Sequence, residues 1–359
     1  MTECYFANYT IGKDAYENIK AICTPIGKNV LITGGETALE KAYDKLSANM
    51  SGFNIVDKVV YGKECYRERV EELYNTYRDR NIDFVMGVGG GKAIDTAKCL
   101  ADMLGVKIIT VPTIASTCAA SSALSVVYTK NHVFDGFWYF KAPAYHCFID
   151  TEIIANAPDK YFRAGIGDTL AKYYEVEFSM RGREKSFKDN LGLNISRMGN
   201  APLIENAVLA LNAVKENNVT KEMEDTALII LVSTGMVSML INPDFNGAMA
   251  HALFYGLTEI EGFEEKFLHG DVIGYTTMVE LVLDNKIDEA LKIGNLISQM
   301  GVETTLKARG VDTSYENLEK VIVSALKDPD MKVIPYEITK EMMYNAIIKV
   351  EEMNVGGTI

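Results

Sequence analysis

At 359 residues the chain exceeds the roughly 250 to 300 residues at which single hydrophobic cores stop growing, so two domains are expected. Its 48% hydrophobic and 24% charged residues are those of an ordinary globule, and a formal net charge of −13 disfavours attraction to nucleic acid or an anionic membrane surface. Six cysteines without C-x-x-C spacing argue against a zinc ribbon or a disulfide framework.

In chain order, the N-terminus has no basic region followed by an apolar core, so no secretory signal is expected and a reducing cytoplasm is the simplest setting. From about residue 28 to 150, short β-branched runs alternate with amphipathic helical stretches. NVLIT (29–33), VDKVVYG (56–62) and DFVMGVGGG (83–91) each precede a helical segment, and KIITVP (107–112) and HCFID (146–150) follow. This alternation predicts a mostly parallel sheet covered by helices on both faces. Ligands of such sheets sit beyond the carboxyl ends of the strands, where the glycine clusters fall.

After Pro158 the strand signal fades. Segments 161–180, 202–217, 227–241 and 278–300 have helical length and apolar spacing near 3.6. The apolar run 227–241 is shorter than the roughly 20 residues of a membrane span and predicts a buried helix, so no membrane association is expected. The domains are therefore set at 1–158, α/β, and 159–359, all-helical, with the cleft between them as the default site for a small-molecule substrate.

Two local features carry chemistry. Gly87, Gly89, Gly90 and Gly91 lie between a buried strand and a helix expected to begin near Ala93. Glycines let a backbone approach phosphate oxygens, and a helix start attracts negative charge. Lys92 breaks the G-x-G-x-x-G pattern and Ala93 the Walker A pattern, so on these residues alone a tight turn and a phosphate cradle both stand. The second feature is His251, one of only four histidines, in the apolar stretch NGAMAHALFYGLT. A buried imidazole needs partners for its nitrogens, so it is either a satisfied core residue or a ligand.

The longer pattern GVGGGKAIDTAK, then KIITVPTIAST, then AGIGDTLAKYYE resembles the glycerol dehydrogenase branch of the iron-containing alcohol dehydrogenase superfamily, from the first strand to beyond His269. The resemblance implies a Rossmann-like NAD(P)-binding domain followed by an all-α domain, the fold shared with dehydroquinate synthase, in a homo-oligomer. By it, Gly35, Gly90, Gly91, Lys92, Ala93, Ile94 and Asp95 hold the cofactor, and Thr113, Ser116, Ser122, Leu124 and Tyr128 line its nicotinamide side. The branch holds one divalent metal with an Asp and two His, which match Asp168, His251 and His269. Asp168 follows Gly165 and Gly167 at an expected helix start, and the two histidines belong to separate helices that must converge. Lys172 stands where the iron enzymes usually have a further His, so a three-ligand zinc site is preferred over a four-ligand iron site.

The same comparison bears on the substrate. The branch usually places an Asp that bonds polyol hydroxyls where this chain has Cys118, and a thiol is a poor replacement for a carboxylate acceptor. TCAA together with GIGDTLAKYYE looks like the hydroxycarboxylate dehydrogenase subgroup, which implies a 2-oxo acid whose carboxylate pairs with Lys172. Glycerol, a glycerol phosphate and a dehydroquinate synthase-like lyase reaction are the alternatives. After the first strand, Gly34 and Gly35 take the place of the usual acidic ribose partner, with Lys41 in reach, so NADP(H) is favoured over NAD although Glu36 follows.

Overall fold

A computed structural model describes residues 4–130 and 134–356. It divides into two compact units, one running to Asp159 and taking in Ala213–Met239, the other comprising Lys160–Asn212 and the chain from Leu240 onward.

The first unit is built on six strands: β1 (Tyr9–Ile11), β2 (Asn29–Gly34), β3 (Asn54–Val60), β4 (Phe84–Gly89), β5 (Lys107–Pro112) and, after a hairpin, β8 (His146–Ile149). They form one parallel sheet in the order β1-β8-β5-β4-β2-β3. Period-two alternation sends Val30, Ile32, Phe84 and Met86 into one core with Leu39 and Leu46, and Leu31 and Val85 into another with Leu73 and Leu100. Burial on both faces explains the near-continuous apolar runs of these strands. Strand succession reverses between β2 and β4, so the turns that follow these two strands lie side by side. Gly35 N donates to Val88 O at 3.2 Å. Such a switch point is where doubly wound sheets take their ligands.

Besides the three-residue β1, two strands escaped the pattern reading. β6 (Leu124–Tyr128) and β7 (Phe134–Tyr139) pair antiparallel, Val126 opposite Phe137. The second strand leaves Phe134, Phe137 and Tyr139 exposed, so no buried face marks it in sequence.

The second unit is helical, with helices over Asp159–Ser179, Met249–Leu257, His269–Leu283, Ile287–Gln299, Tyr315–Lys327 and Lys340–Glu351 among its described residues. Segment 278–300 is two helices rather than one, because Asn285 adopts φ +59° between them. Asp168 lies in the middle of its helix and not at the start, since Gly165 and Gly167 are helical and buried.

The two compact units are not separated by a single cut near residue 158. The helical run Lys221–Leu240, 20 residues with a π-helical turn at Ile229–Ser233, was expected with the second half, yet up to Met239 it groups with the first. A Cβ on Gly235 would come 2.1 Å from Ser121 Oγ, and that hydroxyl donates to Leu231 O. Close backbone approach to the Ser121 turn therefore holds the run in the first unit. With its polar first turn included, the run reaches the length of a membrane-crossing helix and is apolar enough by composition, but 56% of its apolar window is buried in the protein.

Candidate active site

In the first unit, helix Gly91–Leu104 begins two residues earlier than expected, with Gly90 as N-cap and no side chain capping its free N–H groups. Gly89 has φ +145°, and a Cβ there would lie 2.9 Å from Ala93 Cβ, so this position requires glycine. A Cβ on Gly90 would lie 2.7 Å from Ile114 Cδ1, and one on Gly91 3.1 Å from Thr117 Oγ1. The glycines thus serve the packing of the neighbouring loop as well as leaving the first-turn amides of Gly91, Lys92 and Ala93 uncapped. Ile94 is buried, and its amide already donates to Gly90 O at 3.0 Å.

Several residues expected around the cofactor also have partners within the chain. Asp95 turns inward, where its carboxylate meets Lys98 Nζ at 2.9 Å and accepts from Val126 N at 3.2 Å. Burial pushes the Asp95 carboxyl above its ordinary range despite Lys98. Lys98, itself 2% exposed, also donates to Ala119 O at 2.8 Å, to Leu124 O and to Ser122 Oγ. Asp95, Ser122 and the Leu124 carbonyl therefore form a knot that fastens the 119–124 loop to the helix. Lys92 pairs with the buried Glu64 at 2.5 Å and lies 5.2 Å from the Tyr128 ring centroid. Thr113 is buried with its amide on Gly89 O, and Ser116 is half-buried in the loop beyond β5. Cys118 opens a short 3-10 turn, half-buried, its carbonyl accepting from the amides of Ser121 and Ser122 at 3.0 Å.

In the second unit three side chains from three helices converge. Asp168 Oδ1 lies 3.3 Å from His269 Nε2 and 3.7 Å from His251 Nε2, and one donor atom from each residue lies within 4.8 Å of the others. The convergence depends on glycine. A Cβ on Gly167 would lie 2.1 Å from Gly270 O, and one on Gly270 1.8 Å from Ala164 O, so the helices carrying Asp168 and His269 cross with backbones in contact. His269 then stacks edge to face on Phe254, one turn after His251, with centroids 4.4 Å apart.

The helix that carries His251 begins at Met249 after Gly247 and Ala248, neither of which can cap it with a side chain. Two buried carboxylates from other helices do so. Glu175 Oε1 accepts from Ala248 N and His251 N, both at 2.9 Å, and Glu280 Oε2 accepts from Ala250 N at 3.0 Å. The other oxygen of Glu175 sits 2.6 Å from His251 Nδ1. Burial opposes charge on His251, but Glu175 and Asp168 outweigh it and push the imidazolium up to about 10. Burial likewise opposes charge on Asp168, and its bonds to the two histidines hold it well below the carboxylate range. Glu280, buried near Glu175, is pushed well above that range.

Carboxylate and imidazole bonds of about 2.0 to 2.2 Å put tetrahedral donors roughly 3.3 to 3.6 Å apart. The Asp168 oxygen stands nearly that far from each histidine, all three donor atoms lie within 4.8 Å of one another, and both imidazoles turn Nε2 toward Asp168, so the donor set fits a divalent cation. Lys172, one turn from Asp168, is half-buried and donates to Asn246 O. That contact uses one of its three N–H groups. Glu175, Glu280, Glu64 and Lys98 went unassigned in the sequence reading. Two of them carried a signal: Lys98 ends the GVGGGKAIDTAK motif, and Glu175 ends the AKYYE motif, seven residues and two turns after Asp168 on the same helix face.

A family model for iron-containing alcohol dehydrogenase matches residues 7–150. Glycerol dehydrogenase of Thermotoga maritima is 33% identical over 328 residues, covering 87% of this chain and 88% of that protein. Hydroxycarboxylate dehydrogenase A of Escherichia coli K12 is 32% identical over 321 residues, 88% of each chain. Among solved structures, glycerol dehydrogenase from Schizosaccharomyces pombe superposes with a TM-score of 0.87 at 25% identity, covering 98% of this chain and 91% of that one.

Proposed function

Because this chain belongs to the iron-containing alcohol dehydrogenase family, as an NAD(P)-linked, metal-dependent oxidoreductase of the glycerol dehydrogenase type, we propose that it interconverts a 2-hydroxy acid and a 2-oxo acid. The observation that carries the choice of substrate is Lys172. An ammonium one helical turn from Asp168 is bonded to the neutral carbonyl of Asn246, with two donors left over for an anionic substrate. Cys118, where polyol enzymes of this branch usually have a carboxylate, supports the same reading.

The parts divide by chemistry. Asp168, His251 and His269 would hold the cation, zinc in this reading, since one carboxylate and two imidazoles make a three-ligand site. When bound, the cation would act as a Lewis acid on the substrate oxygen while NAD(P) takes or gives the hydride. The uncapped amides at the start of helix Gly91–Leu104, beside the Gly34–Gly35 turn, would take the cofactor's pyrophosphate. Glu36 and Lys41 are both exposed after β2, and the absence of an acidic residue at Gly35 favours NADP(H).

The test is a panel of 2-oxobutyrate, 2-oxoglutarate, oxaloacetate and the oxidised partners of glycerol and glycerol phosphate, with NADH and NADPH, for wild type and Lys172→Met. An oxo acid is expected to give the highest kcat/KM with NADPH, and the substitution to raise its KM at least tenfold more than that of a neutral ketone. Equal effects on both substrates would remove Lys172 from recognition. Glycerol is the second reading, favoured by the similarity to the Thermotoga maritima enzyme; a highest kcat/KM for the polyol pair would select it.

A further inference from the structure

We propose that Glu175 is the positioning residue of the cation site: through one carboxylate it fixes both the backbone and the ring of His251, so that Nδ1 carries the proton and Nε2 presents its lone pair to the site. This rests on the reading of Asp168, His251 and His269 as cation ligands.

Glu175 is fully buried and accepts three N–H groups, each from the start of one helix: Ala248 N and His251 N on Oε1, His251 Nδ1 on Oε2. An ionised carboxylate has no proton to give, so the 2.6 Å contact is a bond only if Nδ1 is the donor. A neutral imidazole then has its single lone pair on Nε2, the atom 3.7 Å from Asp168 Oδ1. Because the amide of His251 hangs on the same carboxylate, the ring cannot swing without breaking the helix start as well. An outer carboxylate that sets tautomer and ring direction is worth about 10- to 100-fold in metal affinity.

Glu175→Gln tests the tautomer with almost no change of shape. The glutamine oxygen must stay on the two backbone amides, since an NH2 placed there would face two donors. Its NH2 then points at Nδ1, which has to be bare, and the ring proton moves to Nε2, where it blocks the ligand lone pair. Glu280→Gln is the control, because Glu280 caps the same helix through Ala250 N without touching the ring.

Zinc affinity would be measured by chelator competition, alongside thermal midpoints of the metal-free proteins. E175Q is expected to lose 10- to 100-fold in affinity and E280Q to stay within about threefold, with the metal-free midpoint lowered in E175Q, where the buried Glu175–His251 pair is lost, and close to wild type in E280Q. Unchanged affinity in E175Q, or an equal loss in E280Q, overturns the proposal. Should E175Q fail to fold, long-range proton–nitrogen spectra of the zinc-loaded wild type decide: a protonated Nδ1 on His251 supports it and a protonated Nε2 refutes it. A wild type that binds no zinc removes the cation reading instead; a hydrogen-bonded Nδ1 proton present in metal-free wild type and lost in E175Q still reports on the contact itself.

Discussion

At the scale of single residues, the organising groups are buried charges whose partners come from elsewhere in the chain. Lys98 and Asp95 satisfy each other and then draw in the carbonyls of Ala119 and Leu124. Removing one member would strand the other in a low-dielectric core, which is costlier than never having placed the pair. Asp330 shows the opposite case, a half-buried carboxyl with like charges around it. Burial first, then the Glu175 charge, push it up to about 6 from near 4. The folded chain thus retains a proton that the unfolded chain releases, so this group favours folding below about pH 4 and the contribution is lost as pH rises through 6. In metal-free protein, Asp330→Asn is expected to gain on wild type between those limits and to level off above, by about 1 to 2 kcal/mol after allowance for partial exposure. Denaturant titrations at pH 4, 6 and 8 check it; a difference that does not vary with pH would contradict the assignment.

Between elements, the decisive contact is the crossing of helices Asp159–Ser179 and His269–Leu283. Gly167 is read in sequence as preceding a helix start, yet it and Gly270 are both helical, where glycine ordinarily costs about 1 kcal/mol. Backbone contact is what they provide in return. Gly270→Ala would drive its Cβ into Ala164 O and is expected to destabilise the fold by about 3 kcal/mol and to weaken zinc binding by displacing His269. Gly274→Ala, on the same helix, would meet Ile297 at 3.4 Å and is expected to be nearly neutral. Similar effects of the two substitutions on unfolding midpoint and affinity would discount the crossing. The helix at Met249 adds a related lesson: its sequence has no cap because the cap is supplied by Glu175 and Glu280.

For the whole molecule, cation binding should be coupled to stability, because ligands from three separate helices meet only in the folded state. At a free zinc concentration 100 times the dissociation constant, the linkage amounts to about 2.7 kcal/mol. EDTA is expected to abolish turnover and lower the thermal midpoint by several degrees, zinc to restore both, and His251→Ala to remove the zinc-dependent shift. A shift that persists in His251→Ala would place the cation elsewhere.

The legible part of this chain was whatever repeats with a period or carries a motif. Alternating β-branched runs gave away the five long or buried strands of the parallel sheet, and the motif context picked out Asp168, His251 and His269 together although they are 101 residues apart in sequence. The three-residue β1, the exposed hairpin, the return of Ala213–Met239 to the first unit and the roles of Glu64, Lys98, Glu175 and Glu280 belonged to the tertiary structure alone. Periodicity reports which face of an element is buried, because the hydrophobic effect acts on each residue according to its exposure. A buried charge or a helical glycine is explained only by the atom that packs against it, and that atom comes from a distant part of the chain.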